Sequence, residues 1–153
     1  MPGTVASRLT VAGLALPAPA AAVGAYVPAV RAGSLVFTSG QLPMREGQLL
    51  ASGVVGADVT PEDAASCAGQ CALNALAAAS SVCDLDAVVR VVKLVGYVAS
   101  VPDFGGQPAV INGASAVMLA AFGDAGAHAR EAVGVAALPL GAPVEVSLVL
   151  EVE

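Results

Sequence analysis

The sequence predicts an α+β fold: a single domain with a mixed β-sheet of about six strands and two helices on one face. Three observations predict it. The chain has 153 residues, the size of one domain that buries roughly 70% of its unfolded surface without a disulfide or metal staple. Hydrophobic periodicity switches between two and 3.6 in the order three strands, helix, strand, helix, two strands. The composition is 57% hydrophobic but only 3% aromatic, with no Trp, so the core is built from Ala, Val and Leu, and an Ala-rich helix face can lie close to a sheet.

The elements follow in order. Thr4 to Ala15 reads as a short helix stopped by Pro17, and Pro17 to Ala22 as an extended Pro/Ala linker. Val27 to Arg31 and Ser34 to Ser39 read as strands about a turn at Ala32-Gly33, with Gln48 to Val55 a third short strand between Gly47 and Gly53. Thr60 suits an N-cap, Pro61 the first helical position and Asp63 the first turn. Ala64, Ala68, Cys71, Ala72, Ala75, Leu76 and Ala79 then recur on one helix face. Asp86 to Ala99 is β-branched on both alternating faces, which predicts a central strand covered on both sides. A loop with Pro102, Gly105, Gly106 and Pro108 leads to a second helix running to Phe122, with Gly123 as its stop. Ala132 to Leu138 and Pro143 to Val152 read as the last strands. In the latter, Val144, Val146, Leu148, Leu150 and Val152 face the core, while Glu145, Ser147 and Glu151 face away.

Charge narrows the function classes. Only 12% of residues are charged, about half the usual share, which excludes a disordered chain and predicts surface hidden in an oligomer. The net charge is −6, and Arg8, Arg31, Arg45, Arg90, Lys93 and Arg130 are scattered. Nucleic-acid binding, which needs clustered cations, is disfavoured. Cys67, Cys71 and Cys83 have no metal-ligand spacing, so reduced, mostly buried thiols and a cytoplasmic location are expected. Arg8, the apolar run to Leu16 and the small residues to Ala22 imitate a signal peptide, but one Arg and so short a run do not make one. Pro17, Pro19 and Pro28 break the longest uncharged run, so no membrane span is expected.

Four stretches then stand out: Gly24-Ala25-Tyr26; Phe37-Thr38-Ser39-Gly40-Gln41; Val91-Val92-Lys93 followed by Asp103-Phe104 and Asn112; and Ala129-Arg130, Val135-Ala136-Ala137-Leu138-Pro139 and Val144-Glu145-Val146. In order and spacing the chain resembles the RidA family, also called YjgF-like or L-PSP endoribonuclease-like, in a long-form branch. The likeness runs from about Val23 to the C-terminus, so residues 1–22 are read as an N-terminal extension and 23–153 as the RidA-like domain. It implies a chorismate-mutase-like, YjgF-like fold, a homotrimer with clefts between subunits, and no cofactor or metal. The implied activity is hydrolytic deamination of enamine/imine intermediates such as 2-aminoacrylate to 2-keto acids and ammonia. A non-catalytic trimer binding a carboxylate metabolite is the alternative, and an endoribonuclease or translation inhibitor a weaker one.

The resemblance also assigns residues. Arg130 matches the carboxylate-binding Arg, whose planar fork suits a carboxylate where Lys would not. Glu145 matches the acid that holds the attacking water, a role that needs a proton acceptor within hydrogen-bond reach. Tyr26, Ser39, Gly40, Asn112 and Ala132 match substrate-binding positions. His128 reads as a solvated loop residue. The chain departs from the pattern at Glu131, which replaces a Ser and sets a carboxylate next to Arg130; at Ala132, where a Cys is common; at Ser147; and in a loop about four residues longer between Phe104 and Asn112.

Overall fold

The computed structural model describes residues 2–22 and 24–153; the boundary drawn at Val23 falls outside them. Five strands form the main sheet in the order β1-β2-β7-β5-β6. They are β1 (Ala29–Ala32), β2 (Leu35–Thr38), β5 (Val88–Ala99), β6 (Ala129–Val135) and β7 (Val144–Val152). All pairs are antiparallel except β5 with β6. A separate hairpin pairs β3 (Met44–Arg45) with β4 (Gln48–Leu49). Helices α2 (Pro61–Ala79) and α3 (Gln107–Phe122) cover one face of the sheet, and α1 (Val5–Val11) packs on α3.

Local chemistry sets these elements. Thr60 Oγ1 accepts from the Asp63 amide, Pro61 occupies the first turn, and Glu62 and Asp63 lie where the helix dipole favours anions. At the other end Ser80 and Ser81 hydroxyls donate to the carbonyls of Ala77 and Ala78, which the helix leaves unpaired. Gly123 ends α3 with φ 60°. In α1, Thr4 caps the Ser7 amide. The helix is pinned by Arg8 Nε donating to Ala121 O at 2.6 Å and the Val5 amide donating to Asp86 Oδ1 at 2.7 Å.

Four expectations change. The sheet has five strands because only Gln48–Leu49 of the segment 48–55 pairs as a hairpin; Val55 instead bridges the end of β5 at Ser100. The penultimate strand spans Ala129–Val135 rather than 132–138, because it pairs with Lys93 to Ala99 and so takes in Arg130. The first helix stops at Val11, since Gly13 takes φ 77°. Strand β5 is neither central nor covered twice. β7 lies in the middle, and the outer face carrying Val30, Phe37, Val89 and Val133 is 40–51% exposed. The segment Gln107–Gly126 is also long and apolar enough, by length and composition, to cross a membrane, which the sequence reading did not anticipate. In this fold it is α3 and the turn after it, buried along Val110, Ile111, Ala114, Val117, Met118 and Ala121.

The two sheet-covering helices approach through glycine. A Cβ on Gly113 would lie 2.0 Å from the Ala65 carbonyl oxygen, and one on Gly96 would lie 2.4 Å from Ile111 Cδ1. A backbone oxygen cannot rotate aside, so Gly113→Ala forces α2 and α3 apart. The expected loss is about 3 kcal/mol, at the upper end for overpacking, read as a lower denaturant midpoint with an unchanged slope.

Candidate functional site

Parallel pairing puts Arg130 opposite Leu94, hence on the helix-covered face, at the edge strand beside α3. Its Nη1 donates to Asn112 Oδ1 at 2.7 Å and to Ser115 Oγ at 3.2 Å, and its Nη2 donates to Pro108 O at 3.3 Å. Three of the five guanidinium N–H groups are thus held by α3, leaving Nε–H and one Nη2–H for an incoming carboxylate. Ser115 Oγ lies 2.9 Å from His128 Nε2, and His128 Nδ1 lies 2.6 Å from Gly126 O. A carbonyl only accepts, so Nδ1 carries the proton in the neutral ring and Nε2 accepts from the Ser115 hydroxyl. His128 is therefore not the solvated residue the sequence suggested. It is half-buried and orients the hydroxyl beneath Arg130.

Glu131 does not compete with Asn112 and Ser115. It points to the opposite face, where Lys93 Nζ donates to its Oε1 at 2.8 Å. Ala132 lies opposite Gly96, on the Arg130 face, packed against the core.

Glu145 lies opposite Tyr97 on the outer face of the sheet, so Arg130 and Glu145 are on opposite faces. Strands β2 and β7 pair as far as Phe37 with Val149 and meet again at Gln41 with Val146. Three residues of one chain segment thus oppose two of the other, a bulge, and Thr38 Oγ1 takes the orphaned Leu148 amide at 2.9 Å. The bulge brings Gly40 down on Glu145: a Cβ there would lie 2.6 Å from Glu145 Oε2. The half-buried carboxylate makes no hydrogen bond or ion pair among the described residues, and burial pushes it above the usual Glu range. Ser39 Oγ donates to Val27 O at 2.6 Å, which holds the bulge.

A cleft of about 900 Å³ lies beside Gly40, between the segment after α1 and the β3–β4 hairpin, with α2 as its floor. Of the predicted site residues, Tyr26 and Gly40 line it; Arg130, Glu145, Ser39, Asn112 and Ala132 do not. Gln70 and Asn74 on its floor are buried, and sequence reading missed them. Their signal is a polar pair at i,i+4 inside an Ala-rich helix. Ser115 was likewise readable as i+3 from Asn112, and His128 as i−2 from Arg130 on an extended chain. Among the described residues no three His, Cys, Asp or Glu converge. Cys67, Cys71 and Cys83 are free thiols raised above their ordinary range, first by burial.

Residues 6–152 match the family described as YjgF/chorismate_mutase-like, to which an endoribonuclease role is attached provisionally. Protein TCP17 of Trypanosoma cruzi is 44% identical over 151 residues, covering 97% of this chain and 94% of that one. A crystal structure of a protein of unknown function from Agrobacterium tumefaciens superposes with TM-score 0.89 at 43% identity, over 98% of this chain and 94% of that one. RidA from an Antarctic Psychrobacter superposes with TM-score 0.59 at 31% identity, over 88% and 94%.

The raised Glu145 fixes the sign of a stability effect. A carboxyl whose folded pKa exceeds its unfolded one favours folding when protonated and costs stability as pH rises through the unfolded and then the folded pKa. Glu145→Gln removes that cost. It is expected to raise Tm at pH 7, with the gain vanishing below about pH 4, where the unfolded carboxyl is protonated too. Thermal melts of both proteins across pH 3–8 check this.

Proposed function

The chain belongs to the YjgF/chorismate_mutase-like, RidA-like family, and from that premise we propose that it hydrolyses 2-imino acids, released as reactive enamines such as 2-aminoacrylate, to 2-keto acids and ammonia. The observation that carries this reading is the Arg130 fork, held by Asn112, Ser115 and Pro108 with its remaining donors open. It is complemented by Glu145, a half-buried carboxylate with no hydrogen-bond or ion-pair partner among the described residues.

The substrate carboxylate takes the two open N–H groups of Arg130. The enamine takes a proton from solvent at its terminal carbon and becomes the iminium ion. Water then adds to C2 while Glu145 accepts its proton, aided by the raised pKa. Return of that proton to the carbinolamine nitrogen lets the C–N bond break as the hydroxyl proton passes to solvent or to the departing amine, which releases ammonia and leaves the keto acid. Because the two residues lie on opposite faces of one sheet, a single chain does not unite them. A closed ring of copies, each lending Arg130 to its neighbour's Glu145, does. Homotrimeric assembly through the exposed face of Val30, Phe37, Val89 and Val133 belongs to this proposal, as does a cytoplasmic setting that keeps the three thiols reduced.

A serine dehydratase generating 2-aminoacrylate, with keto-acid release followed spectroscopically, tests the activity. Wild type is expected to accelerate release. Arg130→Ala and Glu145→Gln are each expected to lose about 10²–10⁴ in turnover. Unfolding the two inactive chains together and refolding them restores one intact site in every mixed trimer, or roughly a quarter of wild-type activity at equal mixing. Mixed chains that stay dead while each variant remains trimeric would exclude a site shared between subunits.

A further inference from the structure

The cleft beside Gly40 is not accounted for by a three-carbon substrate. At about 900 Å³ it lies at the upper end of the roughly 300–1,000 Å³ typical of small-molecule sites. A three-carbon imino acid fills on the order of 100 Å³, a few waters' worth. Its walls are chiefly apolar: Leu14, Pro17 and Ala18 from the segment after α1, Leu42 and Met44 from the hairpin, and Leu73 from α2.

The polar groups of the floor are spent on one another. Gln70 Oε1 accepts from Arg45 Nε at 3.2 Å and Nη2 at 3.0 Å, and Gln70 Nε2 donates to Asn74 Oδ1 at 2.9 Å. Asn74 Nδ2 donates to the carbonyls of Leu42 and Met44 at 3.0 and 2.9 Å. A polar group set on the floor would compete with these bonds and an apolar one leaves them intact; the charged residues of the lining, Arg45 and Glu46, are on the hairpin and exposed. The roof is of the kind that admits a ligand. Residues 15–22 make no hydrogen bond among the described residues, while Leu14 and Leu16 pack on the core. The cleft comes close to Glu145, since Gly40 lines it and also abuts that carboxylate.

The structure assigns this cleft as a binding site for a bulky apolar group, and we infer that the substrate is a 2-imino acid with a large hydrocarbon or aromatic side chain seated there while its reacting end lies at Glu145. The second half rests on the function proposed above; the cleft as an apolar site does not.

The test uses N-phenyl-1-naphthylamine, a neutral fluorescent probe that needs neither Arg130 nor catalysis. Saturable binding to the wild-type protein is expected, with affinity at least tenfold lower in Ala18→Trp or in Met44→Trp, which fill the cleft from roof and hairpin, and unchanged in Arg130→Lys. No saturable binding, or wild-type affinity in both Trp variants, overturns the site. Displacement of the probe by phenylpyruvate at concentrations at least tenfold below those of pyruvate supports the substrate class, and equal or absent displacement by both overturns it. Failure of the hydrolase reading shows separately, as wild-type protein that binds the probe but does not accelerate keto-acid release.

Discussion

Parallel strands cannot be joined by a tight turn, because the chain must travel the length of the sheet before re-entering it. Strands β5 and β6 are the one parallel pair in the main sheet, and α3 is their crossover. This constraint organises much of the molecule. It brings α3 over Gly96, where a side chain would strike Ile111, and against α2, where Gly113 meets the Ala65 carbonyl. It also makes β6 an edge strand, so that Arg130 leans on the outside of α3, within reach of Asn112 and Ser115. The setting of the Arg130 fork is thus made by topology as much as by the arginine.

The alternation of a β-strand does the rest. Arg130 and Glu131 are neighbours in sequence but face opposite sides, so the acid pairs with Lys93 and leaves the arginine to α3. The same alternation sends Glu145 outward while Val144 and Val146 go inward. A sheet one chain thick therefore separates the cation from the acid. The face on Glu145's side is rich in Val and Phe, which a lone chain exposes.

What could be read from the sequence follows from how local each cause is. Helix α2 was legible end to end because Thr60, Pro61 and Asp63 mark its start and its apolar period is unbroken. Strand β7 was legible from its alternation. The start of β6 was not, because an edge strand pairs on one side and carries little apolar signal. The extent of the segment 48–55 was not, because Val55 is fixed by the end of β5 rather than by its own neighbours. His128 was misread because its partners, Ser115 and Gly126, are set by the crossover and the turn that follows it. The cleft was invisible for the same reason: it lies between segments that meet only in the folded chain.

The strap over the cleft has a consequence for how such proteins diversify. One end is clamped where Arg8 and Val5 hold α1 to Ala121 and Asp86, and the other enters the sheet at β1. Between fixed ends, doubling a flexible segment costs only about 0.6 kcal/mol of closure entropy. No backbone ladder has to be re-registered, since residues 15–22 belong to none. Insertions and deletions beyond Leu16, whose side chain packs on the core, can resize the chamber beneath while that packing stays in place, so the chamber's volume can drift across generations independently of folding.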